Sequence, residues 1–213
     1  MSIPNEQNET KSISIPTNTN ESYSLNNMAI INENSQYPIK TCLFSKITYS
    51  RIGRCFWMFP KPNTIPKIVI GPHFYFYPIM LAIILFVGSL IDLKLLPYIN
   101  DIRITCVFWL LILNAIGIYT ANFLYNPGIV MKSDLNSVSG HYCEICKVFS
   151  SSEKVVHCEF CGVCIEEHDH HCVWIGKCVG KNNKCLFNCI FVSICLVYLF
   201  LIFIMVYYFI KYS

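Results

Sequence analysis

The chain has 213 residues, of which 54% are hydrophobic and only 14% are charged, and its formal net charge is +3. Soluble domains usually carry about a quarter charged residues, so this composition excludes an ordinary soluble protein and indicates a membrane protein. The small net charge gives no argument for a nucleic-acid partner, and none is expected.

Two segments precede the first long apolar run. Residues 1–36 are rich in Asn, Ser, Thr and Glu, which predicts a disordered N-terminal tail. Residues 37–72 form a basic, aromatic juxtamembrane segment with no acidic residue between Lys40 and Lys67. We expect this segment to lie on the anionic cytoplasmic leaflet. The first apolar run begins too late in the chain for a cleavable signal peptide.

Three uncharged apolar runs, at residues 74–91, 104–125 and 186–210, are long enough to cross a bilayer. A helix that is apolar on all sides needs lipid around it, so buried helices of a soluble protein are the weaker interpretation. We predict transmembrane helices 1 and 2 within residues 73–125 and helix 3 at residues 186–210. The polar residues Asn114, Thr120 and Asn122 of the second run should face protein.

The distribution of Lys and Arg predicts the orientation of these spans. The basic residues before the first span mark the cytoplasmic side, whereas the short loop between spans one and two is balanced in charge. The N-terminus and residues 126–185 are therefore expected in the cytosol.

A Cys/His-rich module lies between the second and third spans. Eight of the thirteen cysteines fall between Cys143 and Cys185. In the reducing cytosol such a cluster indicates metal binding or catalysis rather than disulfides. The pairs Cys143/Cys146 and Cys158/Cys161 are CxxC motifs outside any βαβ pattern, which favours zinc over a redox site.

Counting the candidate ligands limits the number of metal ions. Eleven groups lie in this module: Cys143, Cys146, His157, Cys158, Cys161, Cys164, His168, His170, His171, Cys172 and Cys178. Two tetrahedral zinc sites would use eight of them and leave three, which is the most economical arrangement. Spacing alone does not say which three remain.

Cys172 is a candidate nucleophile as well as a candidate ligand. A free thiol reacts poorly near neutral pH unless a base or a positive field favours its thiolate. His170 could be that base, and Asp169 could orient its imidazole. From adjacency alone the metal-ligand interpretation stays open, because His and Cys in such modules are usually ligands.

At this point the residues resemble a known family, the DHHC protein S-acyltransferases (palmitoyltransferases). The segment Asp169-His170-His171-Cys172 matches the family's DHHC tetrad, and Cys178, Gly180, Asn183 and Phe187 match the pattern that follows it. The upstream HCEFCGVCIEEH matches the lead into the tetrad, and Asn126-Pro127-Gly128 resembles the family's DPG motif. The resemblance is close over residues 126–187.

The resemblance implies an α-helical membrane fold with a zinc-stapled cytosolic domain of short β-hairpins. It also implies two interleaved zinc sites of three cysteines and one histidine. One would use Cys143, Cys146, His157 and Cys164, and the other Cys158, Cys161, His171 and Cys178. Cys172 is then the nucleophile, His170 the base and Asp169 its orienting partner. His168 has no family role and is expected at the surface.

The implied activity is protein-cysteine S-palmitoyl transfer from a long-chain acyl-CoA through an acyl-enzyme on Cys172. Lys147 and Lys154 are candidates for binding the coenzyme A phosphates, because SSEKVV replaces the usual basic lead. The expected partners are the lipid bilayer and substrate proteins with membrane-proximal cysteines. A weaker likeness of the segment GRCFWMFP to one subgroup suggests a small accessory subunit, although His73 stands where that subgroup has Asp. Family habit suggests a multi-pass protein of the Golgi or ER, with the plasma membrane as the alternative.

Several positions depart from the family pattern. Ten residues rather than nine separate Cys146 from His157, Val173 replaces a Pro, Gly176-Lys177 replaces an Asn-rich pair, and Asn126 replaces an Asp. The family's fourth span and TTxE motif are missing before Ser213. The alternative hypothesis is therefore a catalytically inactive zinc-bearing membrane scaffold, or a truncated fragment of such an enzyme.

Overall fold

The computed structural model describes residues 40–41, 48–61, 64–131, 141–150, 152 and 154–212. The disordered tail predicted for residues 1–36 lies outside the described residues, as does residue 42, one of the juxtamembrane cysteines.

Within the described residues, three apolar helices make up the membrane part of the protein. They are α1 (Phe76–Lys94), α2 (Ile102–Leu124) and α3 (Lys184–Tyr212), with a short 3-10 helix, Leu96–Tyr98, between α1 and α2. All three are long and apolar enough to span a bilayer. The predicted three-helix arrangement is confirmed, with ends that differ from the apolar runs by a few residues.

The second helix is the central one of the three. Its Phe108 and Ile112 are buried with Leu96 against apolar residues of both other helices, whereas many other apolar side chains of the three helices face outward. The side-chain amide of Asn114 approaches the hydroxyl of Ser193 on α3 at 3.4 Å. Helices in lipid associate through such packing and polar contacts, because lipid already satisfies their apolar surface.

The juxtamembrane segment forms a sheet. Its four antiparallel strands, in the order β1-β2-β3-β4, are Lys40–Thr41, Thr48–Ile52, Cys55–Met58 and Ile68–Ile70. These strands are not predicted from the sequence, whose basic and aromatic residues favour a position on the lipid surface. One face of the sheet, with Ile52, Cys55, Trp57 and Val69, is buried against the Cys/His domain.

Three β-hairpins build the part of the Cys/His domain that the structure describes. They pair β5 (His141–Cys143) with β6 (Val148–Ser150), β7 (Val155–Cys158) with β8 (Val163–Glu166), and β9 (His170–Cys172) with β10 (Lys177–Val179). This confirms the predicted short hairpins. Two-stranded pairs of three or four residues are marginal by themselves, so they need an additional constraint.

The segment after α2 fixes the domain against the sheet. Asn126 is buried, and its side-chain oxygen accepts hydrogen bonds from the backbone amides of Gly128 and Ile129, each at 3.0 Å. Its side-chain amide donates to the carbonyl of Pro66 at 2.8 Å. An aspartate carboxylate could accept the first two bonds but could not donate the third. The Asn in this otherwise DPG-like motif therefore joins β4 to the entry of the domain.

The sheet and the domain thus lie at the same end of the helices. The backbone amide of Asn126 donates to the carbonyl of Lys67 at 3.0 Å, and Ile68 pairs with Tyr125 in an isolated bridge. Residues before α1 and residues between α2 and α3 share one side, as two membrane crossings require.

Candidate active site and metal centres

Each CxxC pair lies in a tight turn that directs both sulfurs inward. In the first turn the amide of Lys147 donates to the carbonyl of Cys143 at 2.8 Å, and Lys147 has φ of 54°. In the second turn the amide of Gly162 donates to the carbonyl of Cys158 at 2.7 Å, with φ of 66° at Gly162. The left-handed residue after each pair closes the turn, which suits Gly better than Lys.

The first metal cluster joins the first two hairpins. The Nδ1 atom of His157 lies 3.8, 3.1 and 3.9 Å from the sulfurs of Cys143, Cys146 and Cys164. All four ligand atoms are within 4.8 Å of one another.

The second metal cluster joins the second and third hairpins. The Nδ1 atom of His171 lies 3.5, 3.4 and 3.5 Å from the sulfurs of Cys158, Cys161 and Cys178. The sulfurs of Cys161 and Cys178 are 3.5 Å apart. The structure therefore brings together the same two sets of four residues that the resemblance implied.

Both clusters have the dimensions of a tetrahedral zinc site. Zinc with bonds of about 2.3 Å to sulfur and about 2.0 Å to nitrogen would hold sulfur and nitrogen roughly 3.5 Å apart and two sulfurs roughly 3.8 Å apart. Burial raises the pKa of the Cys164 thiol, and the neighbouring Cys143 and Cys146 add to the effect. A central Zn²⁺ would instead favour the thiolates.

The third hairpin separates the metal ligand from the reactive residues. Successive side chains of a strand point to opposite faces, so His171 of β9 faces away from His170 and Cys172. In the register of the hairpin His171 lies opposite Cys178, the other ligand that this hairpin supplies. The strand thus accounts for the tetrad: one histidine faces the metal, and the other histidine shares a face with the cysteine.

Cys172 lies where the domain meets the membrane helices. It is 8% exposed and packs with Tyr119, Ile175 and Val179. Tyr119 belongs to α2, and apolar residues of α1 and α3 surround the cluster: Tyr77, Met80, Phe187 and Ile190. The hydroxyl of Tyr119 donates a 2.6 Å hydrogen bond to the carbonyl of Trp174, which fastens the turn after Cys172 to α2. The thiol therefore lies at the mouth of the helix bundle.

His170 and Asp169 occupy a more open position beside this thiol. A carboxylate oxygen of Asp169 is 3.7 Å from Nδ1 of His170 and 4.0 Å from Nζ of Lys184. The ring of His170 packs edge-on against Phe187, with centroids 5.2 Å apart. The amide of Asp169 donates to the carbonyl of Val179 at 3.0 Å, so the hairpin fixes its backbone. Because the carboxylate lies beside Nδ1, the other ring nitrogen remains for proton transfer.

The lysines predicted to bind coenzyme A belong to the first two hairpins. Lys147 is exposed in the turn between β5 and β6, and Lys154 is exposed just before β7. Both hairpins hold the first metal cluster rather than Cys172. The cation that lies next to Asp169 is Lys184, which the sequence analysis did not single out.

One further residue, His168, differs from its expected exposure, and another, Lys177, has a role that the sequence did not predict. His168 was expected at the surface but is half-buried, and burial lowers its pKa. Lys177 is fully buried, and its ammonium donates to the carbonyls of Val69 and Tyr125, both at 2.6 Å. Burial lowers the pKa of Lys177 to about 7. Its position between Gly176 and Cys178, where the family has an Asn-rich pair, was the available signal.

Known proteins share this domain. Residues 136–213 match the family model of the DHHC palmitoyltransferases. Palmitoyltransferase ERF2 from Kluyveromyces lactis is 42% identical over 60 residues, which are 28% of this chain and 17% of that protein. Palmitoyltransferase ZDHHC9 from Pongo abelii is 39% identical over 72 residues, 33% of this chain and 20% of that protein. Palmitoyltransferase ZDHHC18-B from Danio rerio is 45% identical over 53 residues, 25% of this chain and 13% of that protein.

This chain thus matches a fifth or less of the length of these curated relatives, and the matches fall on one domain. That domain carries the tetrad, both metal clusters and the third helix described above. Over residues 136–213 the chain therefore carries a region similar to the DHHC palmitoyltransferases.

Proposed function

We propose that the protein is a protein-cysteine S-palmitoyltransferase that uses acyl-CoA as donor and forms an acyl-enzyme on Cys172. The observation that carries the proposal is the position of this thiol, between the β9–β10 hairpin and the ends of three apolar helices. A nucleophile there can attack the thioester of acyl-CoA while the coenzyme A part stays in water and the acyl chain lies among apolar side chains.

The reaction is two thioester exchanges. In the first, the thiol of Cys172 gives its proton to His170, the thiolate attacks the acyl-CoA carbonyl, and coenzyme A leaves as a thiol after taking a proton. In the second, His170 accepts the proton of a substrate cysteine, and the resulting thiolate attacks the acyl group on Cys172. The sulfur of Cys172 leaves and takes that proton back from His170 to become a thiol again. Thioester exchange is nearly isoenergetic, so the protein must contribute mainly orientation.

The membrane helices would hold the acyl chain. Tyr77, Met80 and Ile190 lie around the Cys172 cluster, and each methylene of the chain buried in apolar surroundings contributes about 0.8 kcal/mol. This placement favours long-chain donors and substrate cysteines near a membrane surface.

The two metal clusters would have a structural role. Zinc held by three cysteines and one histidine has no open position for a reactant. Bound to the second cluster, it would fix the face of β9 opposite to Cys172 and thereby support the alignment of His170 with the thiol.

The remaining parts of the proposal concern the surroundings of the enzyme. The N-terminus and the Cys/His domain would lie in the cytosol of a Golgi or ER membrane, with Lys147 and Lys154 contributing to coenzyme A binding. The partners would be substrate proteins with membrane-proximal cysteines, the lipid bilayer and a small accessory subunit.

Labelling with palmitoyl-CoA tests the proposal. The full chain, in membranes or detergent micelles, should acquire a hydroxylamine-sensitive label from labelled palmitoyl-CoA, because a thioester forms on Cys172. The Cys172→Ala variant should lose at least nine-tenths of this label. The matched control is Cys185→Ala, because Cys185 is exposed at the start of α3 and should be dispensable.

A label that persists in Cys172→Ala would contradict the acyl-enzyme. Absence of label from a wild-type chain that retains two zinc ions would favour the inactive scaffold instead.

A further inference from the structure

His73 lies in the turn that connects β4 to α1. Its backbone amide donates to the carbonyl of Gly176 at 3.2 Å, and its own carbonyl accepts a bond of 3.1 Å from the amide of Phe76. The first of these bonds anchors the turn to the β9–β10 hairpin, and the second anchors it to the first membrane helix. The side chain of His73 is therefore held between the two.

The ring of His73 contacts the histidine of the second metal cluster. Its Nδ1 atom is 2.9 Å from Nε2 of His171, and the two rings meet edge-on with centroids 5.1 Å apart. Phe160 packs against both rings, at 6.0 Å from His73 and 4.9 Å from His171. This is a direct side-chain hydrogen bond between residues 98 positions apart.

The arrangement of protons in this pair follows from the cluster. His171 presents Nδ1 to three sulfurs at 3.4–3.5 Å, so Nδ1 is the nitrogen available to a metal ion. A neutral imidazole that coordinates through Nδ1 carries its proton on Nε2. Nε2 of His171 therefore donates to Nδ1 of His73, which acts as the acceptor.

We infer that His73 is a positioning residue for the second metal centre, fixing the tautomer and ring orientation of His171 from outside the ligand set. Metal-bound histidines commonly donate their second N–H to a carboxylate, carbonyl or similar acceptor, and that bond supports metal affinity. Here the acceptor comes from the segment before the first membrane helix. The inference rests on the metal-holding role proposed for the second cluster and is independent of acyl transfer.

Simple aromatic packing is the competing explanation, because Phe160 and Tyr75 also pack against His73. Three variants separate packing from hydrogen bonding. His73→Phe keeps an aromatic ring without an acceptor. His73→Asn places a side-chain oxygen near the position of Nδ1, and His73→Leu has a similar volume without an acceptor.

The experiment uses the full chain, purified with zinc in detergent micelles and titrated with a zinc chelator. Alkylation followed by mass spectrometry reports each cluster separately: Cys158, Cys161 and Cys178 report the second, and Cys143, Cys146 and Cys164 report the first. We expect the second cluster to lose metal at about 10- to 100-fold lower chelator concentration in His73→Phe and His73→Leu. His73→Asn should remain close to wild type, and the first cluster should be unchanged throughout.

The inference would be overturned if the second cluster lost metal at the same chelator concentration in His73→Asn and His73→Leu. This holds whether both variants retain metal as wild type does or both lose it early. This pair decides the question even if His73→Phe disturbs the whole domain. Failure of the wild-type chain to protect either cluster is a different result, which contradicts the metal centres themselves.

Discussion

At the scale of single residues, buried asparagines connect the membrane helices to the Cys/His domain. Asn183 and Asn122 are both fully buried. The side-chain amide of Asn183 donates to the side-chain oxygen of Asn122 on α2 and to the carbonyl of Cys178, both at 3.1 Å. Its own oxygen accepts from the amide of Gly180 at 2.8 Å. The side chain of Asn183, at the start of α3, thus connects α2 to β10, the strand that carries the metal ligand Cys178.

The contact predicts coupled stability effects. Asn183→Ala should destabilise the protein by about 1–3 kcal/mol, because it leaves buried polar groups without partners. Asn122→Ala should cost less once Asn183 is already Ala, since the shared hydrogen bond is then absent. Unfolding of the four proteins of this double-mutant cycle, in identical micelles with zinc, measures the coupling.

An Asn114→Ala variant serves as a control, because its contact with Ser193 lies elsewhere on α2. Its effect should be additive with that of Asn183→Ala. Strict additivity of Asn122→Ala with Asn183→Ala would show that the contact contributes nothing.

At the scale of elements, the juxtamembrane sheet is fitted closely to the metal-binding hairpins. The amide of Arg54 donates to the carbonyl of Cys161 at 2.8 Å. A Cβ atom added to Gly71 would collide with the carbonyl oxygen of Gly176, and one added to Gly53 would collide with that of Gly162. Glycines are needed at both places because the backbones of the two elements touch.

Gly71→Ala should therefore loosen the sheet from the third hairpin. The added methyl group would collide with the carbonyl oxygen of Gly176 and with Cβ of Lys177, neither of which can rotate away. The sheet and the hairpin must therefore move apart, which should lower the free energy of unfolding by about 1–3 kcal/mol. We expect a lower unfolding temperature and faster proteolysis of the segment before α1. Trp57, buried in β3, offers a fluorescence signal for the same change.

Gly117→Ala is the matched control, since a Cβ atom at Gly117 on α2 would meet no atom within 4 Å. It should leave stability unchanged or raise it slightly, because Ala favours helix over Gly. A Gly71→Ala protein that unfolds like the Gly117→Ala protein would mean that the close approach does not matter.

At the scale of the whole molecule, two kinds of structure have different sources of stability. The helices satisfy their backbone hydrogen bonds internally and face an apolar surrounding. The described residues of the Cys/His domain form six strands of three or four residues, and the clusters of ligands link the hairpins in sequence order. Its folding should therefore depend on metal, whereas that of the helices should not.

Metal removal should separate the two parts. Chelation in micelles should release two zinc ions per chain and expose the six ligand cysteines to alkylation. The far-ultraviolet helical signal should be largely retained, and the palmitoyl label should disappear because β9 is no longer held. Cys185, which is exposed at the start of α3, provides the internal reference for alkylation. Collapse of the helical signal together with metal loss would contradict this division.

The sequence by itself determined the features that depend on neighbouring residues. Apolar runs of sufficient length predicted three membrane helices, because a span is a matter of length and composition. CxxC spacing predicted metal sites, because a short turn alone brings two sulfurs together. Spacing did not say which of eleven groups were ligands, and the assignment came from resemblance to a family.

Only the tertiary structure decided how distant segments meet. It placed the juxtamembrane strands against the hairpins, buried Lys177 under two backbone carbonyls, and brought His73 to His171. None of these contacts leaves a periodic or local pattern, because each joins residues that are about 50 or more positions apart. They depend on how the sheet, the hairpins and the helices pack together, and local sequence does not encode that packing.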